Sequence, residues 1–198
     1  MAFISQFLTA MLDNNLVFCQ LVAMVSVIMI SHRPQDAVRD AGVLGIACAV
    51  CGIVSWFVVS GTLRAWGVTY LAPIACVLVN ASLVMVFGTI AGVRRSSEER
   101  TQILRHSTVL ACCAALMAPA LSQLAQSDVL VTSTAIADSL GAGAGVFLSV
   151  VLFSFVRGRI DDSACPHAMR GLPITLVAAS LMALAFTGVA GIAGGLLA

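Results

Sequence analysis

Long apolar runs broken by short polar interruptions set the architecture of this chain. Six runs are long enough to cross a bilayer as helices: Ile4 to Ser31, Ala37 to Ser60, Ala65 to Val93, Ile103 to Gln126, Val129 to Phe155 and Leu172 to Leu197. About 20 apolar residues suffice, because each adds roughly 1.5 Å to a helix. Sheet edges or irregular backbone facing lipid would leave peptide groups unpaired, so the runs predict an all-α integral membrane protein. We take residues 1–198 as one membrane domain of six spans. The first run has no basic lead-in and is too long for a signal-peptide core, so cleavage is not expected.

Composition supports this reading. Of 198 residues, 60% are hydrophobic and 10% charged, with a mean hydropathy of +1.05. That is more apolar surface than a soluble domain of this size can bury, and lipid is the missing solvent. A formal net charge of +1 gives no attraction for nucleic acid. The charge distribution is more telling. There is no lysine, and the arginines fall as Arg33 and Arg39 between spans one and two, Arg64 between two and three, Arg94, Arg95, Arg100 and Arg105 between three and four, and Arg157, Arg159 and Arg170 between five and six. Positively charged short loops stay in the cytoplasm, so loops one, three and five are expected inside and both termini outside.

Six spans divide into two triplets, residues 1–93 and 101–198. An odd number of spans forces the second triplet to enter from the opposite side, an inverted repeat in which span one corresponds to span four. These two spans are also the least regular. Span one carries Asp13, Asn14 and Asn15 within an apolar run; span four is entered through Arg105-His106-Ser107-Thr108 and interrupted at Pro119. Interrupted segments at matching positions mark functional sites near the bilayer midplane, so both are expected to be broken helices. Asp13 has two readings: it lines an ion path, or it caps the second half of a broken helix, where short polar side chains satisfy free amides. Capping is the expectation. Asp138 is either buried within span five or an acid in its first turn, favoured there by the helix dipole; the first turn is the expectation.

Seven cysteines, Cys19, Cys48, Cys51, Cys76, Cys112, Cys113 and Cys165, raise disulfide and metal chemistry. Cys48, Cys51 and Cys76 lie in apolar helical runs, where cysteine behaves as a small packing residue. Cys165 falls in a loop assigned to the reducing cytoplasm, where a structural disulfide would not persist. Cys19 and the Cys112–Cys113 pair remain, on the two interrupted spans. Gly141-Ala-Gly143-Ala-Gly145 has no strand or βαβ unit around it, so its expected role is close helix contact rather than nucleotide binding. His32, His106 and His167 lie at loop boundaries. The chain offers no nucleophile–base pair, zinc ligand set or phosphate loop, and is not expected to be an enzyme by itself.

The stretch Arg157 to Gly188, above all Pro166-His-Ala-Met-Arg170-Gly171 followed by Ile174-Thr175 and Ser180-Leu-Met-Ala-Leu-Ala-Phe186, closely resembles the end of the RnfA/NqrE family. Leu12-Asp-Asn14-Asn15-Leu-Val resembles the family's paired asparagines in helix one. Gly141-x-Gly143-x-Gly145 resembles its helix-five glycines, and Cys113-Ala114 part of its Asn-Cys-Ala motif in helix four. Nearly the whole chain aligns with few gaps, and its final third is the most specific part.

The resemblance implies a multi-pass subunit of the bacterial inner membrane with outward termini, in the Rnf ferredoxin:NAD oxidoreductase or the sodium-translocating NADH:quinone reductase. It further implies a homologous, oppositely oriented partner of the RnfE/NqrD type, other complex subunits, and a [2Fe-2S] cluster held between the two homologues. Each homologue gives that cluster two cysteines, one from broken helix one and one from broken helix four. Thiolates suit such clusters, and a buried cluster relays an electron where free charge cannot pass. Here Cys113 matches the helix-four ligand, with Cys112 where the family usually has asparagine. The helix-one position falls on Val25, which cannot bind iron. Cys19 lies six residues earlier, about 9 Å along a regular helix, and is not expected to substitute. The alternative is a redox-silent scaffold or transporter-like subunit of the same fold.

Overall fold

The structure, a computed structural model, describes residues 2–19, 34–92, 132–160, 166 and 169–197. Every regular element among them is helical: α1 (Ala2–Leu8), α2 (Pro34–Val58), α3 (Ala72–Gly92), α4 (Thr132–Arg157) and α5 (Leu172–Leu197). Predicted span four, its Pro119 interruption, Cys112, Cys113, Cys165 and Val25 lie outside the described residues, as does the pairing of the two triplets.

Four of the described helical stretches are long and apolar enough to cross a membrane: Val38–Leu63, Thr69–Thr89, Ser133–Arg157 and Leu172–Ala190. They correspond to predicted spans two, three, five and six. The start of span six at Leu172 coincides with the helix, and the local chemistry explains why. Gly171 takes a left-handed φ of +82° that a side chain would strain, and Pro173 follows at the second helical residue, where a missing N–H costs nothing.

Span three is expected from Ala65, but the chain there is a turn. α2 continues through a π-helical turn, Val59–Leu63, and then closes on itself. Gly67, at φ +69°, donates its N–H to the Arg64 carbonyl at 3.2 Å, while Val68 donates to the Leu63 carbonyl at 3.1 Å. This is a Schellman closure, and Val68 packs against the apolar cluster that contains Leu63. A short 3-10 turn, Thr69–Leu71, then leads into α3. Trp66 and Tyr70 are exposed beside this turn, where amphipathic rings suit a membrane–water boundary.

The core lies between α2 and α4, with the N-terminal segment against α4's other side. Leu44, Cys48 and Cys51 of α2 meet Val146, Val150 and Phe153 of α4, and Leu16, Val17 and Phe18 complete the cluster. Cys76 is buried in a second cluster with Val59, Leu63 and Ala72. Cys48, Cys51 and Cys76 are therefore packing residues, as read from the sequence.

Gly141, Gly143 and Gly145 make this arrangement possible. A Cβ on Gly143 would sit 2.5 Å from the Gly45 carbonyl oxygen, and one on Gly45 would sit 2.8 Å from that of Gly143. Two helix backbones thus cross in direct contact. On the other side, a Cβ on Gly141 would lie 2.5 Å from the Phe7 carbonyl oxygen and one on Gly145 would lie 3.0 Å from that of Met11. Residues four apart share a helix face and a residue midway between them faces nearly opposite, so three alternating glycines admit a neighbour on each side.

Candidate functional site: the break in helix one

The first span is broken where its polar triplet lies. α1 runs from Ala2 to Leu8 and widens into a π-helical turn, Thr9–Asp13, that ends at Asn14 with φ −104° and ψ 38°. Asn14 closes the turn by donating its N–H to the Thr9 carbonyl at 2.8 Å. π-Helical turns cost hydrogen-bond geometry and recur at functional sites. Beyond the break, Cys19 donates its N–H to the Asn15 carbonyl at 3.0 Å, closing a turn over residues 15–19.

Asn15 is the cap. Its Oδ1 accepts the Val17 N–H at 3.0 Å and the Phe18 N–H at 3.2 Å, satisfying amides just past the break as an N-cap does. Its Nδ2 donates backward to the Met11 carbonyl at 3.0 Å and across to the Gly145 carbonyl of α4 at 3.3 Å. Ser149, one turn further along α4, donates its hydroxyl to Asn15 Oδ1 at 3.0 Å. Asn15 and Ser149 are both fully buried. One amide thus closes both ends of a broken helix and fastens the break to a neighbour, using both its donors and its acceptor oxygen. Aspartate could not do this, because it lacks the Nδ2 donors that face two carbonyls.

The capping role expected of Asp13 therefore belongs to Asn15. Asp13 lies on the other side of the break, at the C-terminal end of the first half, where no free amides point at it. Its Oδ1 is buried and has no hydrogen-bond partner among the described residues. The expectation for Asp138 is also corrected. α4 begins at least as early as Thr132, which places Asp138 beyond the first turn, and it is buried with 3% of its surface exposed.

The depth of the break follows from its partner. Gly145 is the thirteenth residue of the 25-residue span Ser133–Arg157, so the break is level with the middle of that span. α5 closes the site: Phe186 stacks on Phe18 with ring centroids 4.7 Å apart and planes tilted by 34°. Ser149 and Gly45 were not singled out from the sequence. Ser149 could have been found from its four-residue spacing to Gly145, which puts both on the face that meets helix one.

The helix-one ligand position that the resemblance implies lies outside the described residues. Among the described residues no group of three or more histidine, cysteine or acidic side chains converges as a metal site. The described cysteine nearest the break, Cys19, turns its thiol to the Leu12 carbonyl at 3.8 Å. Position 25, where the resemblance places the helix-one ligand, is a valine and has no donor atom.

Apolar spans bound by buried amide–carbonyl contacts, with one span broken at mid-depth, define a polytopic membrane protein built around an interrupted helix. A family model described as Rnf-Nqr subunit, membrane protein, matches residues 3–193. The chain belongs to that family. Among its relatives, the RnfA subunit of the Na(+)-translocating ferredoxin:NAD(+) oxidoreductase complex of Acetobacterium woodii is 29% identical over 185 residues, 93% of this chain and 94% of the relative. The RnfA subunit of the ion-translocating oxidoreductase complex of Syntrophotalea carbinolica is 30% identical over 187 residues, 94% of this chain and 95% of the relative. The corresponding subunit of Buchnera aphidicola is 26% identical over 194 residues, 97% of both chains.

Proposed function

We propose that this chain is the RnfA-type membrane subunit of an ion-translocating oxidoreductase complex, lying in the bacterial inner membrane with both termini outside. One observation carries the reading: helix one is broken and held at mid-depth by the Asn15–Gly145–Ser149 contacts, in a chain that aligns with RnfA subunits over nearly its full length. In this reading the remaining spans form the second, inverted triplet, and a homologous, oppositely oriented subunit of the RnfE/NqrD type docks against the paired breaks.

The family's electron relay through a shared [2Fe-2S] cluster then rests, on this side, on Cys113 with Cys112 beside it. Such a cluster would supply one-electron transfer across the apolar layer. The chain's own described residues position the break and exclude water from it. A second reading, a redox-silent scaffold of the same fold, is favoured by Val25 at the helix-one ligand position and by the engagement of the Cys19 thiol with Leu12.

Iron and acid-labile sulfide measured on the purified complex, with wild-type chain and with Cys113→Ala, separate the two. Loss of one [2Fe-2S] equivalent in the variant supports the relay. Equal iron and sulfide in both assigns the chain to the scaffold.

A further inference from the structure

Asn15 caps the amides of Val17 and Phe18 at the break, and Asp13 takes no part in that capping. Its position is nonetheless costly. Asp13 ends the first half-helix, where the last carbonyls and the helix dipole already concentrate negative potential, and a carboxylate there raises the cost further. Its Oδ1 is buried with no hydrogen-bond partner among the described residues, level with the centre of the α4 span. Asp13 as a whole is half-buried, but a carboxylate oxygen buried without a donor is costly in an apolar medium unless a cation or proton neutralises it.

Among the described residues, the helices packed against the break offer no ready counter-charge. α5 carries no charged residue between Leu172 and Leu197. α4 carries Asp138 and Arg157, about 10 Å and about 18 Å along its axis from Gly145. The first half-helix has no basic residue in its last turn. The carbonyl of Leu12, the residue before Asp13, accepts only the weak thiol donor of Cys19 among the described residues, at 3.8 Å, and so lacks a strong donor.

We infer that Asp13, with the Leu12 carbonyl and the half-helix end around them, forms a mid-membrane site for a single positive charge, either an alkali cation or a proton. Half-helix C-terminal ends and unwound carbonyls suit this chemistry, because they present oxygen without the reorganisation a continuous helix would need. The inference deepens the reading of the chain as part of an ion-translocating complex and rests on it for its biological use, although not for its chemistry.

The test is carboxyl labelling of the whole complex in lipid vesicles with dicyclohexylcarbodiimide, followed by mass measurement of the peptide containing Asp13. The reagent adds across a protonated carboxyl in apolar surroundings and leaves a stable N-acylurea with no leaving group. One arm compares sodium chloride with choline chloride at fixed pH. The other raises the pH in choline chloride. At a sodium concentration ten times the dissociation constant, the free site falls about tenfold, and Asp13 labelling falls with it if the ligand is the alkali cation. Labelling indifferent to sodium but lost as pH rises assigns the site to a proton. No adduct on Asp13 under any condition, or an adduct insensitive to both sodium and pH, overturns the proposal. Asp13→Asn, which must abolish the adduct, verifies the assignment of the labelled residue. A chain that labels as expected but does not co-purify with other complex subunits overturns the assembly reading and leaves the cation site standing.

Discussion

α4 and α5 have the same mean hydropathy over their membrane-crossing windows, 2.0, yet 56% of the α4 window is buried and 17% of the α5 window. Hydropathy therefore reports that a helix enters the membrane and says little about what it meets there. The difference lies in small and polar residues. α4 buries Asp138, Ser139, Ser149 and Ser154 and brings its glycines into backbone contact with α2 and the first span. α5 has glycines too, but a Cβ on Gly188 would meet nothing within 4 Å, and Leu176, Leu181 and Leu184 of the same helix are exposed. Without a hydrophobic drive between helices in lipid, close approach and buried hydrogen bonds decide which helix is central.

Substitutions on the two helices and at the break should separate these roles. Gly143→Leu places a side chain on the Gly45 carbonyl; overpacking of this kind costs about 3 kcal/mol or more, seen as a large loss of folded subunit in detergent. Next is Asn15→Ala, which removes a cap and two interhelical bonds together, with an expected loss of about 2 kcal/mol in denaturant unfolding. Asn15→Asp should not rescue it, since a carboxylate would face the Met11 and Gly145 carbonyls. Gly67→Ala forces a side chain into the left-handed region and should lower stability by about 1 kcal/mol, without touching the α4 contacts. Gly188→Ala on α5 should change stability by less than about 0.5 kcal/mol. A cost for Gly188→Ala equal to that of Gly143→Leu would remove the distinction between the two helices.

Much of this was legible in the sequence, because the signals were local. Apolar run length placed the four described spans and the Leu172 start of α5, and the alternation of Gly141, Gly143 and Gly145 gave close helix contact. The break in helix one was legible from its polar triplet. Which residue of the triplet caps was not legible, because the first helical segment runs through the π-helical turn Thr9–Asp13 to its end at Asn14, so Asp13 closes that segment and the cap falls to Asn15. That assignment is fixed by the α4 carbonyl that meets the Asn15 amide, a partner 130 residues away. The Ala65 start of span three failed for a related reason. Ala65, Trp66 and Val68 read as apolar, and the turn depends on the left-handed conformation of a single glycine.

The fold around the break depends on one amide, Asn15, fastening a broken helix to α4 at mid-membrane. The decisive experiment is a double-mutant cycle between Asn15→Ala and Ser149→Ala, read by reversible unfolding of the solubilised protein. The expected coupling energy is about 1 kcal/mol, within the range of interhelical hydrogen bonds in membranes. Purely additive single-mutant effects would mean that Asn15 does not hold the break to α4.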